Sequence, residues 1–105
     1  MAGTVPADVV AETERSLAFR DINPQAPVHI LIVPKKHIPD IHSIAESDKE
    51  LIGHLFLVAS KIAALKNLDQ SGYRMVINNG PGAGQTVFHI HLHLLSGRHF
   101  SWPPG

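Results

Sequence analysis

Residues 88–94 read Phe-His-Ile-His-Leu-His-Leu, with polar and apolar side chains in strict alternation. In an extended strand successive side chains point to opposite faces, so His89, His91 and His93 share one face while Phe88, Ile90, Leu92 and Leu94 form a core-facing row. The register is specified too, because a slip of one residue would bury the imidazoles and expose the hydrophobes. A polar face built onto a core strand needs a reason, since an unpartnered polar group taken out of water costs roughly 1–3 kcal/mol.

The rest of the chain supplies a sheet for that strand. Val9 and Val10 begin a short strand, and Ser16-Leu17-Ala18-Phe19-Arg20 alternates into a second, stopped by Asp21 to Pro27 with its two prolines. Val28-His29-Ile30-Leu31-Ile32-Val33 has the β-branched content of a central strand, ended by Pro34 and by Lys35-Lys36, a solvated strand end. Ser47-Asp48-Lys49-Glu50 predicts a helix start, with the serine capping the backbone and the glutamate returning the bond. The apolar stripe Leu51, Leu55, Val58, Ile62 and Leu65 follows, and the segment from Asn67 to Gly72 ends the helix. Tyr73 to Asn78 is another strand, divided from the histidine strand by the glycine-rich residues 79–85. Strands, one long helix and further strands with short connections predict an α+β fold, the helix lying across one face of an antiparallel sheet.

At 105 residues the chain reads as a single domain, 1–105, for which a partner subunit would add much to stability. Nine basic side chains balance nine acidic ones, so no overall field draws it to nucleic acid or an anionic membrane, and an anionic ligand must be held locally. The absence of cysteine removes disulfides, thiolate metal sites and cysteine nucleophiles. The first residues, Met1 to Pro6, carry no basic segment followed by an apolar run, and no stretch approaches the roughly 20 apolar residues of a membrane span; a cytoplasmic protein is expected.

Imidazole is a common transition-metal ligand, yet alternate strand residues lie about 6.6 Å apart, which separates His89 from His93 by about 13 Å. Metal–nitrogen bonds of about 2.1 Å let two of the three share an ion but not all three, so no metal or other cofactor is expected. Nucleophilic catalysis fits better, because a neutral imidazole attacks well once its other nitrogen is held by an acceptor. The loop before the strand points to phosphate: Gly80, Gly82 and Gly84 allow positive φ and close approach, so that successive N–H groups cradle an anion, with Gln85 and Thr86 adding side-chain donors. It is not a P-loop, since no lysine follows and a strand comes next. His29 on its apolar strand reads as a satisfied interior residue and Asp21 as an Asx turn, while His37, His42, His54 and His99 read as surface. Trp102 in the proline-rich tail needs a surface to pack on.

His89-Ile-His91-Leu-His93-Leu-Leu resembles the defining motif of the histidine triad (HIT) proteins. Leu17-Ala-Phe-Arg-Asp-Ile, Pro24-Gln-Ala-Pro-Val-His, Val33-Pro-Lys-Lys-His, Gly72-Tyr-Arg-Met-Val, Gly84-Gln-Thr-Val-Phe and Trp102-Pro-Pro-Gly extend the likeness to the Hint branch over nearly the whole chain. The resemblance implies a homodimer joining two five-stranded antiparallel sheets, and hydrolysis of purine nucleoside phosphoramidates or lysyl-AMP conjugates. It implies His91 as nucleophile, forming a nucleotidyl-histidine, with His29, His89 and His93 orienting it and helping to protonate the leaving amine. It also implies Asp21 at the ribose, Ile22 and Phe19 near the base, Asn78, Gly84, Gln85 and Thr86 around the phosphate, and Trp102 reaching toward the partner's site. Family members carry a helical segment ahead of the Val5-Pro6-Ala7-Asp8 region, so a shorter base-binding wall and weaker nucleotide binding are expected. His93 favours hydrolysis, because the nucleotide-transferring branch has glutamine there. The rival readings are a dinucleoside polyphosphate hydrolase and a nucleotide-binding interaction module with vestigial catalysis.

Overall fold

The computed structural model describes residues 8–105; residues 1–7, including the stretch read for a targeting segment and most of the region read for the base-binding wall, lie outside the described residues. Five strands, β1 (Val9–Glu12), β2 (Ser16–Arg20), β3 (Val28–Pro34), β4 (Tyr73–Val76) and β5 (Leu92–Ser96), form one sheet in the order β1-β2-β3-β5-β4, every pair antiparallel. The long helix α1 (Lys49–Leu65) and the single-turn α2 (Leu68–Ser71) complete it. This is the α+β arrangement expected. Among the described residues no helix is long and apolar enough to cross a membrane.

The core lies between α1 and one face of the sheet. Ile30 and Ile32 from β3, Leu92 and Leu94 from β5 and Ala18 from β2 meet Leu55, Val58, Ala59, Ile62 and Ala63 of the helix. Period-2 alternation thereby sends His29 and Leu31 of β3, and His93 of β5, to the opposite face, which carries the site.

Several local expectations change. At the helix start Ser47 is exposed and Asp48 is buried: its carboxylate accepts from the Ala45 N–H at 2.9 Å and pairs with the Lys36 ammonium. The Lys36 hydrogen bond is the main reason the Asp48 carboxyl is held below its usual range, and an anion there also suits the helix N-terminus. Lys36 is therefore a tie to the helix rather than a solvated end, and Lys35 pairs on the surface with Glu12 at 2.6 Å. At the other end Leu65 is 84% exposed, because Asn67 at φ 57° turns the chain and Leu68 enters the core instead. His54 is not a simple surface residue: its Nε2 lies 2.9 Å from Ser16 Oγ and 3.2 Å from Thr13 Oγ1, tying α1 to the β1–β2 turn.

The histidine segment is less regular than its sequence. Ladder pairing begins only at Leu92, and the Ile90 N–H bonds to Ile38 C=O at 2.7 Å, outside the sheet. Ile90 joins a second small core with Ile38 and Leu51, so the alternation holds inward from residue 90. Phe88 is half exposed, against the expectation of a core position, because the chain ahead of Ile90 has left the sheet. β4 likewise ends at Val76 rather than reaching Asn78.

Candidate active site

Antiparallel register brings the first pair of imidazoles together. His29 stands opposite Leu95 and His93 opposite Leu31, so the two histidines are diagonal neighbours on the face away from the helix. His29 Nε2 lies 2.9 Å from His93 Nδ1. The Gln25 N–H donates to His29 Nδ1 at 3.0 Å, which makes that nitrogen the acceptor and puts the ring proton on Nε2. His29 thus donates to His93 Nδ1, with Asp21 Oδ2 3.5 Å away as a looser second acceptor. His93 must then carry its own proton on Nε2. That atom is buried and has no hydrogen-bond partner among the described residues.

His91 and His89 are held by backbone. His91 Nδ1 donates to the His89 C=O at 2.9 Å, leaving Nε2 as the lone-pair nitrogen. His89 Nε2 donates to the Pro34 C=O at 2.7 Å, and its Nδ1 lies 3.0 Å from His37 Nδ1. The His91 and His93 rings meet edge to face, 4.9 Å between centroids. Burial is the main cause that lowers the pKa of His29, His89 and His93; His93, also facing the His91 and His29 imidazoles, is pushed down to about 4. All three are neutral at physiological pH, as a donor–acceptor chain of imidazoles requires.

A cleft of about 200 Å³ opens beside His89 and His91, walled by Phe19, Leu31, Val33 and Val87. Its apolar lining suits a flat aromatic group beside the two imidazoles. Phe19, which the resemblance puts near the base, forms part of this wall. Ile22 is 96% exposed and forms no part of this wall, and Trp102 is 83% exposed on a tail whose Phe100 ring meets the guanidinium groups of Arg74 and Arg98.

The glycine loop takes the positive φ expected at Gly80 (φ 88°) and Gly84 (φ 97°), whereas Gly82 lies within a 3-10 turn, Pro81–Ala83. Gln85 is corrected. Its Oε1 accepts from the Gly80 N–H at 2.8 Å and its Nε2 donates to the Pro39 and Val87 carbonyls, so the side chain is spent on shaping the loop and has no donor left for a phosphate. Thr86 is exposed, and Asn78 Nδ2 lies 4.0 Å from where a Gly84 Cβ would stand. Asp21 does make the Asx turn, accepting from the Asn23 N–H at 2.9 Å, and its other oxygen faces His29.

Among the described residues, the donors that could share an ion are Asp21, His29 and His93, with ligand atoms within 4.8 Å of one another. This grouping draws only one member from the alternating set, and an ion there would have to displace the His29–His93 hydrogen bond. Sequence reasoning missed His37 and the Gln25 N–H. The signal for His37 was its place between Lys36 and the apolar Ile38, both of which turn out to be anchored.

Comparison with known proteins agrees with this geometry. An uncharacterized HIT-like protein of Synechocystis is 52% identical over 101 residues, covering 96% of this chain and 88% of the relative. The crystal structure of a HIT family hydrolase from Legionella pneumophila superposes with a TM-score of 0.93 at 52% identity, covering 96% of this chain and 90% of that one. A histidine triad nucleotide-binding protein from Candida albicans gives 0.79 at 31% identity, covering 96% and 77%. The family model for the HIT domain matches residues 2–100, and with the alternating histidines gathered on one side of a five-stranded sheet, the chain belongs to the HIT family.

Proposed function

We propose that the chain is a purine nucleoside phosphoramidase, hydrolysing the P–N bond of substrates such as adenosine 5′-monophosphoramidate and aminoacyl- or lysyl-AMP through a nucleotidyl-histidine on His91. One observation carries the reading: the proton of His91 is committed to the His89 carbonyl, which leaves Nε2 unprotonated on a ring that lines the cleft. The names of the Legionella and Candida relatives, a hydrolase and a nucleotide-binding protein, support the same chemistry.

In this reading the base lies against Phe19, Leu31 and Val33, Asp21 meets the ribose, and Asn78, Thr86 and the backbone N–H groups around Gly84 meet the phosphate. His91 Nε2 attacks phosphorus, a new N–P bond forms, and the bond to the leaving nitrogen breaks. The leaving nitrogen takes up a solvent proton as it departs as an amine, while the His93 ring, packed edge to face on His91, holds the nucleophile in place. Water then attacks the phosphorus of the nucleotidyl-His91, the lone pair returns to Nε2, and nucleoside monophosphate leaves with a proton. The proposed setting is a single-domain cytoplasmic protein working without a metal. A homodimer is part of the proposal, supported by β4 at a sheet edge with Met75 outward and by the exposed Trp102.

Turnover of adenosine 5′-monophosphoramidate by the parent and by His91→Ala tests this. A fall of about 1,000-fold or more is expected, with a covalent nucleotidyl adduct seen by rapid-quench mass spectrometry in the parent alone. Equal turnover by the two proteins refutes the assignment, and preferential cleavage of a P–O–P substrate would move it to dinucleoside polyphosphate hydrolysis.

A further inference from the structure

His37 does not line the cleft, and no part of the chemistry above uses it, yet it is the only side chain among the described residues that hydrogen-bonds the His89 ring. A carbonyl oxygen can only accept, so the 2.7 Å contact to Pro34 fixes the His89 proton on Nε2. Its Nδ1 is therefore a lone pair on a residue only 7% exposed, and it needs a donor. His37 Nδ1 at 3.0 Å is that donor. The His37 ring, although exposed, is held in place from both sides: Lys36 is tied to the buried Asp48, and Ile38 is packed with Leu51 and Ile90 and accepts from the Ile90 N–H.

We infer that His37 is a positioning residue for the proposed reaction, acting through His89: its Nδ1–H occupies the His89 lone pair, locks that ring on the Pro34 carbonyl, and thereby fixes the peptide whose C=O orients His91. The inference rests on His91 being the nucleophile. If His89 took a proton on Nδ1, two N–H groups would face each other across 3.0 Å unless His37 moved its own proton to Nε2, so protonation of His89 and donation by His37 cannot coexist. The titratable groups that face His89 among the described residues are His37, from the segment after β3, and His91, from its own segment, and no carboxylate opposes them there. Burial and these two imidazoles act in the same direction, keeping His89 neutral, against the opposing effect of the Pro34 carbonyl.

His37→Leu removes the donor, and His37→Asn restores an N–H near the Nδ1 position. Histidine side-chain nitrogen shifts by NMR, together with kcat and KM across pH 5–8 on adenosine 5′-monophosphoramidate, read the effect. With His37→Leu, His89 should lose its single Nε2–H tautomer, kcat should fall about tenfold with KM within twofold, and the acid limb of the kcat profile should move to higher pH. His37→Asn should return all three toward the parent. An unchanged His89 tautomer and pH profile in His37→Leu would overturn the inference, and so would a loss that appears equally in KM or that asparagine does not rescue. If the parent itself shows no turnover, the proposed function fails, while the tautomer measurement still decides whether His37 holds His89.

Discussion

Replacing Gly97 with alanine should destabilise the fold out of proportion to the single carbon added. Gly97 follows β5 at φ 95°, and a Cβ there would stand 2.8 Å from Pro27 Cβ, 3.1 Å from Cγ and 3.3 Å from Cδ. Ordinary carbon contacts begin near 3.4 Å, and a proline ring has no rotamer to swing aside, so backbone on one side or the other must move by about half an ångström. Overpacking of this kind costs about 1–3 kcal/mol, and holding alanine in a left-handed backbone adds about 1 kcal/mol. The sum of about 2–4 kcal/mol corresponds to a Tm lower by roughly 8–16 °C for a domain of this size. Gly53→Ala is the matched control: the site lies in α1, no atom stands within 4 Å of the new Cβ, and relief of backbone entropy should stabilise by about 0.5–1 kcal/mol. Thermal and urea unfolding followed by circular dichroism read both. The reasoning is refuted if Gly97→Ala lies within 1 kcal/mol of the parent or shifts in the same direction as the control. The site should feel the change as well, since Arg98 Nε donates to the Gln25 C=O and the Gln25 N–H donates to His29, so displacing residues 25–27 loosens that imidazole.

The lowered histidine pKa values carry a pH signature. His29, His89 and His93 resist protons in the native state that the unfolded chain accepts below about pH 6.5, so stability is full above that pH and declines as pH falls toward 4. The shift of His93 alone, to about 4, is worth about 3 kcal/mol unscreened and about 1.5 kcal/mol after discounting for its partial exposure. Urea unfolding at pH 7 and pH 5 should show the decline, and His93→Gln should shrink it; equal pH dependence in the two proteins contradicts the assignment. Gln85→Ala frees the Gly80 N–H and the Pro39 and Val87 carbonyls, and should raise the KM for adenosine 5′-monophosphoramidate about tenfold through disorder of the loop while lowering Tm by roughly 4–12 °C. A Gln85→Ala protein with unchanged KM would count against a role for the loop in binding.

Wherever one period governed a whole element, the fold was legible in the sequence. Of the stripe Leu51, Leu55, Val58, Ile62 and Leu65, all but the last lie in the core as spaced, and β2 and β3 have the expected extents to within a residue. The misses are tertiary overrides of local chemistry. Ser47 had the form of a cap, but the Lys36 ammonium, twelve residues from Asp48, recruits the neighbouring carboxylate instead. Phe88 continued the alternation on paper, yet the Ile38 carbonyl takes the Ile90 N–H and draws the chain off the ladder. In the site, the three histidines announced themselves, whereas their hydrogen-bonding partners did not. The carbonyl of Pro34, the N–H of Gln25 and the ring of His37 are ordinary groups whose significance comes from where the sheet and loops deliver them.

The pairing of β3 with β5 has a kinetic meaning beyond its geometry. His29 and His93 are 64 residues apart in sequence, so their contact closes a loop whose entropy costs about 4 kcal/mol before any hydrogen bond repays it. No local piece of the chain, neither the β1–β2 hairpin nor the helix, contains the relay. During refolding, helical signal can recover while the imidazole chain is still unmade, and this non-local closure is what stands between a compact chain and one with its histidines in register.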